Sequence, residues 1–147
     1  MDKKRLTNLI KRPEGTKLDF KQTIDIVSES GRKELAKDIC AIANSKWGRG
    51  YIILGVEDTT KRIIGIDGLD ISEEQVQQII STSSEPPIPV ALELVNYDGK
   101  TLGVITIYDG PHKPYQIKDN GAFYIRRGST TDTMRKQEII ESLQEGF

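Results

Sequence analysis

Residues 31–58, GRKELAKDICAIANSKWGRGYIILGVED, decide the fold. Leu35, Ala36, Ile39, Cys40, Ile42 and Ala43 recur at helical spacing, so 31–46 reads as an amphipathic helix with Lys33 and Lys37 off its apolar stripe. Gly48-Arg49-Gly50 then makes a flexible turn. Residues 51–56 are apolar on both alternating faces, as a central strand covered from two sides must be. Glu57 and Asp58 stand at its end.

Outward from this unit the elements alternate irregularly. Leu6, Leu9 and Ile10 predict a short amphipathic helix over 2–11 that stops by Pro13. In 17–21, Leu18 and Phe20 alternate with Lys17, Asp19 and Lys21, the pattern of a half-buried strand whose charges share one face. A further strand is predicted at about 62–66. Ser72 and Gln75 form a capping-box pair ahead of a helix carrying Val76, Ile79 and Ile80. Asp98-Gly99 sits between two alternating runs within 88–108 and predicts a hairpin. Residues 110–114 read as a rigid loop and 119–121 as a tight turn. In 122–127 Phe123 and Ile125 share a face opposite Tyr124 and Arg126, which gives a strand with a wet aromatic-plus-arginine face. A closing helix near 134–144 uses Ile139, Ile140 and Leu143. The class is therefore α+β, one domain over 1–147, with a largely antiparallel mixed sheet packed with about four helices.

With 147 residues, 36% hydrophobic and 29% charged, the chain has the composition of one globular core. Its longest apolar run is too short to span a bilayer, and its charged N-terminus lacks the apolar core of a secretory signal; a cytoplasmic protein without membrane contact is expected. Lone Cys40 offers no internal disulfide, and one cysteine with one histidine makes no closed zinc site of the usual kind. The net charge of -1 hides an asymmetry: residues 1–50 hold twelve Lys/Arg against seven Asp/Glu, whereas 57–99 hold two against nine.

Three groups carry candidate chemistry. Tyr124, Arg126, Arg127 and Ser129 fall on a strand end and Gly turn, where planar guanidinium forks and a hydroxyl suit phosphate and a tyrosine can stack a base. Arg32, Lys33 and Lys37 extend the cationic set, with Arg32 and Lys33 in a first helical turn, where the dipole disfavours them and a bound anion would compensate. Glu14, Asp19 and Asp58 lie at element edges and could converge on a divalent ion if their strands are neighbours. The plain alternative pairs Asp19 with Lys17 and Lys21 and leaves Asp58 to the turn. His112 reads as an exposed loop histidine.

The ordered set Glu14-x-x-x-Leu18-Asp19-Phe20-Lys21, Ala41-x-Ala43-Asn44-x-x-x-Gly48-x-Gly50-Tyr51-Ile52-x-x-Gly55-Val56-x-Asp58 and Tyr124-Ile125-Arg126-x-Gly128-Ser129 resembles the Schlafen AlbA_2 domain over about 14–140. The resemblance implies an α+β nucleic-acid-binding domain, for DNA or RNA, of the kind found in bacterial proteins described as transcriptional regulators. Binding of that sort needs no cofactor. Nuclease members of the Schlafen group cut structured RNA such as tRNA with three acids whose places fall on Glu14, Asp19 and Asp58, and the implied metal is Mg or Mn. Asp19 stands where the family more often has Glu, one methylene longer. A homodimer would rebuild the two-lobed groove of duplicated members. A third expectation, from a different class, is a protein-interaction or oligomerisation module.

Overall fold

The computed structural model describes residues 1–145. A four-stranded sheet organises them, formed by β1 (Leu18–Lys21), β2 (Gly50–Leu54), β4 (Val90–Tyr97) and β5 (Lys100–Ile107) in the order β1-β2-β5-β4. β1 and β2 run parallel, and the other neighbours are antiparallel. β2 is central, as its uninterrupted apolar sequence requires, because each face of the sheet carries its own core. On one face Ile52 and Leu54 pack with α2 (Glu29–Asn44) and α3 (Glu73–Ser83); on the other Tyr51 and Ile53 pack with α1 (Lys3–Ile10), Leu18 and Phe20. Two small ribbons complete the molecule: β3 (Ser84–Glu85) with β6 (Gln116–Ile117), and β7 (Tyr124–Arg127) with β8 (Thr130–Thr133). α4 (Lys136–Glu145) closes the described chain. The expected α+β domain with a largely antiparallel sheet and four helices is what forms.

Local chemistry sets the element ends. Ser72 accepts the Gln75 N–H while the Gln75 side chain accepts the Ser72 N–H, the reciprocal box expected at the start of α3. Asp98 and Gly99 both take positive φ, 51° and 83°, the conformation that twists β4 into β5. Gly50 has a packing reason: a Cβ there would meet Ile42 Cγ2 at 2.1 Å, so only glycine lets β2 start directly beneath α2.

Several expectations are corrected. The stretch 62–66 makes a single bridge, Val56 to Ile63, and no strand, because Gly55 at φ +95° turns the chain and its carbonyl takes the Ile64 and Gly65 N–H groups. α2 begins two residues early, capped by Ser28, so Glu29 occupies the first turn and Lys33 pairs with it at 3.2 Å. The expected conflict between Lys33 and the helix dipole is thereby removed. In α4, Ser142 is buried and Leu143 is 48% exposed, so the apolar stripe ends at Ile140.

Buried Asn44 ties the C-terminal end of α2 to the segments beyond the sheet. Its Nδ2 donates to the Tyr115 and Tyr124 carbonyls at 2.9 and 2.8 Å, and its Oδ1 accepts the Tyr115 N–H at 2.7 Å. Asn44→Ala removes all three bonds and strands buried backbone groups, which costs about 1–3 kcal/mol apiece when unsatisfied. A loss of about 3 kcal/mol in urea unfolding is expected, with an unchanged m-value.

Candidate nucleic-acid interface

β1 supplies the first part of the site. Leu18 and Phe20 point to the α1 side, so Lys17, Asp19 and Lys21 face α2. They are not solvated. Lys17 Nζ donates to the Ile42 carbonyl at 2.8 Å, and Lys21 Nζ bridges Asp19 at 3.1 Å and Asp38 of α2 at 2.7 Å. Arg126 of β7 approaches Asp19 from the other side at 3.6 Å. The result is a chain of charges, Asp38, Lys21, Asp19, Arg126, that joins α2, β1 and β7 beneath the surface. Burial alone would raise the Asp19 carboxyl, but a hydrogen bond from Glu14 and the charges of Lys21 and Arg126 hold it below its usual range.

Glu14 lies beside this chain. Its Oε2 accepts the Phe20 N–H at 2.9 Å, while desolvation and its hydrogen bond with Asp19 push its carboxyl up to about 8. Glu14 is therefore protonated at neutral pH and donates to an ionised Asp19. Asp58 is exposed; burial lowers the Lys61 ammonium and the Asp58 charge opposes that shift, while the ammonium donates to the Ile10 and Arg12 carbonyls and lies 3.6 Å from the Phe20 ring centroid. Among the described residues, no three carboxylate, histidine or cysteine groups stand close enough to hold one metal ion. With the Glu14 carboxyl protonated and Asp19 engaged by Lys21 and Arg126, Glu14, Asp19 and Asp58 do not fit Mg or Mn in this arrangement.

The cations expected to bind phosphate divide sharply. Arg126 is corrected from a wet-face residue to a buried one: its side chain is 2% exposed, and among the described residues Nε and Nη2 have no hydrogen-bond partner. Arg127 is committed as well, through Asp132 at 2.8 Å and a two-pronged contact with Glu138. That fork holds the Glu138 carboxyl down to about 2. Ser129 is exposed in the β7–β8 turn. Arg32 donates to the Ile26 and Val27 carbonyls and pins the loop before α2.

Lys33, Lys37 and Tyr124 do come together. They line a groove of about 570 Å³ between α2, the end of α3 and the 117–120 segment. Lys37 Nζ lies 5.3 Å from the Tyr124 ring centroid, and Asn120 donates to the Tyr124 hydroxyl at 2.8 Å. Thr82 and Ser83 continue the groove into a smaller cavity of about 280 Å³ lined by Arg32, Gln75 and Gln78. Sequence reasoning missed Lys118 and Asn120, which contribute a cation and an amide; their signal was their place just before and within the 119–121 turn. Buried Cys40 is pushed up to about 12 by desolvation and serves as packing.

The model of the Schlafen AlbA_2 family matches residues 14–135. The chain belongs to that family. Its fold is shared by several solved structures. The DIP2311 protein of Corynebacterium diphtheriae is 21% identical with a TM-score of 0.65; the match covers 95% of this chain and 27% of that protein. The N-terminal domain of a putative ATP-dependent DNA helicase RecG-related protein from Nitrosomonas europaea is 20% identical with a TM-score of 0.58, covering 91% of each chain. No curated protein matches the chain. Seen in this Schlafen AlbA_2 member, Asn44 and Gly50 of the middle motif are structural, whereas Asp19 and Arg126 belong to one buried ion network. No helix among the described residues is long and apolar enough to cross a membrane.

The protonated Glu14 sets a pH signature. Because its folded pKa lies above the unfolded value of about 4.5, the folded state binds the extra proton between about 4.5 and 8, so Glu14's contribution to stability declines as pH rises through that window. Glu14→Gln keeps a neutral donor to Asp19. Comparison of urea midpoints from pH 5 to 8.5 should show wild type losing more stability than the variant; equal slopes would contradict the assignment.

Proposed function

We propose that this Schlafen AlbA_2 domain binds nucleic acid through its phosphate backbone, along the groove between α2 and the 117–124 segment. The observation that carries the reading is the Lys37 ammonium placed over the Tyr124 ring inside a 570 Å³ groove that also holds Lys33 and Lys118. Ammonium groups meet phosphates, and an aromatic ring beside them can stack an exposed base. Membership of the family and the fold shared with a RecG-related helicase domain point the same way. Contacts of this type are indifferent to sequence, so a role in transcriptional regulation would need specificity from elsewhere. DNA and RNA both present the required phosphates.

The second reading is endonucleolytic, and the split between a protonated Glu14 and an ionised Asp19 favours it, since paired carboxyls with separated pKa values serve acid–base chemistry. It requires Asp58 to close on that pair, and cleavage of tRNA in Mg²⁺ or Mn²⁺ that disappears in Asp58→Ala would support it.

Fluorescence anisotropy with a labelled oligonucleotide at low salt tests the binding site. Lys37→Ala and Lys118→Ala should each weaken binding and reduce the salt slope by about 0.7–0.9. Tyr124→Ala should lower single-strand affinity by about 5- to 100-fold, the range of one lost base stack. Wild-type affinity in all three variants would reject the groove.

A further inference from the structure

A second aromatic and cationic surface lies at the opposite end of α2. Trp47, the single tryptophan, is 77% exposed although tryptophan is ordinarily among the most buried side chains on average. Lys46 Nζ lies 5.9 Å from its ring centroid, and Arg49 lies 5.0 Å from the Tyr108 ring centroid. The loop that carries Trp47 is held in place, because Gly48 N–H donates to Asp109 Oδ2 at 3.1 Å. Trp47 borders a cavity of about 400 Å³ whose residues Lys46, Lys113, Ser142 and Glu145 also line a second cavity of about 370 Å³. Thr16 and Arg126 also line that second cavity. The two cavities thus adjoin along their four shared residues, with the exposed indole bordering the first.

Charge around the cavities is mixed. On the α4 side Glu145 is matched by Lys46 at 2.9 Å and Glu138 by Arg127, and Glu141 also lines the second cavity. On the sheet side Lys113 pairs with Asp109 at 2.7 Å and Lys17 donates to the Ile42 carbonyl at 2.8 Å, so the cation of this surface left outside an ion pair, among the described residues, is Arg49 beside Tyr108. The arrangement of a cation beside an aromatic face, Lys37 with Tyr124, recurs here as Lys46 with Trp47 and Arg49 with Tyr108.

We infer that Trp47 is a stacking platform for an unpaired base, with Arg49 taking an adjoining phosphate of a single strand. The inference rests on the nucleic-acid reading above and adds to it a strand state and a second contact. A paired base has both faces covered by its neighbours, so the platform discriminates for single strands or strand ends.

Because Trp47 is the only tryptophan, its emission reports this site alone. Unlabelled protein is titrated with oligouridylate while a labelled copy of the same oligonucleotide is followed by anisotropy. Emission is expected to be quenched in parallel with the anisotropy rise. Trp47→Ala should lower single-strand affinity by about 5- to 100-fold, Trp47→Tyr should restore most of it, and blunt duplex affinity should change by no more than about twofold. Anisotropy that rises with unchanged Trp47 emission overturns the platform and leaves the α2 groove standing. No anisotropy change at low salt, with unchanged emission, overturns both. A blue shift that follows protein concentration without oligonucleotide assigns the surface to self-association and overturns the inference.

Discussion

Asp19 sits under α2 with Lys21 on one side and Arg126 on the other, and Lys21 carries the contact on to Asp38. Charges withdrawn from water must be paired, and removing one member of such a set costs about 3–5 kcal/mol because its partner is left buried and alone. The chain therefore fixes β1, α2 and β7 against one another in a way the apolar contacts alone do not specify. Asn44 adds the hydrogen bonds that seat Tyr115 and Tyr124 beside it. Tyr124 reaches the rim of the groove because the backbone of β7 is held on both counts.

The same constraint moves recognition outward. Arg126 is spent on Asp19, Arg127 on Asp132 and Glu138, and Lys33 is shared between Glu29 and Asp119, so among the described residues Lys37 of α2 and Lys118 are the groove cations outside an ion pair. Glu14 keeps its proton because it is partly withdrawn from water and shares a hydrogen bond with the ionised Asp19. That pair is chemically poised but carries no metal geometry in the described residues. Holding nucleic acid is therefore the activity we propose, and cutting it would require Asp58 to move.

Much of the fold was legible in local pattern. The apolar run of β2, the stripe of α2, the Ser72 box and the Asp98-Gly99 turn each contain their own instruction within a few residues. What escaped were features set by distant partners. The alternation in β1 gave the two faces correctly, yet nothing local says that α2 and Arg126 will cover the charged one. The wet face expected for β7 failed for the same reason. The charge asymmetry along the chain is partly cancelled in the fold, since the amino terminus pairs with Glu93 and Lys3 with Asp98 across α1 and the β4–β5 hairpin. Lys33, Lys37 and Tyr124 were readable as types suited to phosphate and base; their convergence with Lys118 needed the fold.

The central claim is that exposed cations and Tyr124 in the α2 groove, and not the buried arginine, hold nucleic acid. A backbone amide NMR titration of the wild-type domain with a short single-stranded oligonucleotide at low salt tests it most directly. The account predicts that the largest shift changes map to Lys33, Lys37 and residues 118–124. Changes concentrated on the β4–β5 hairpin, or none at saturating oligonucleotide, would contradict it.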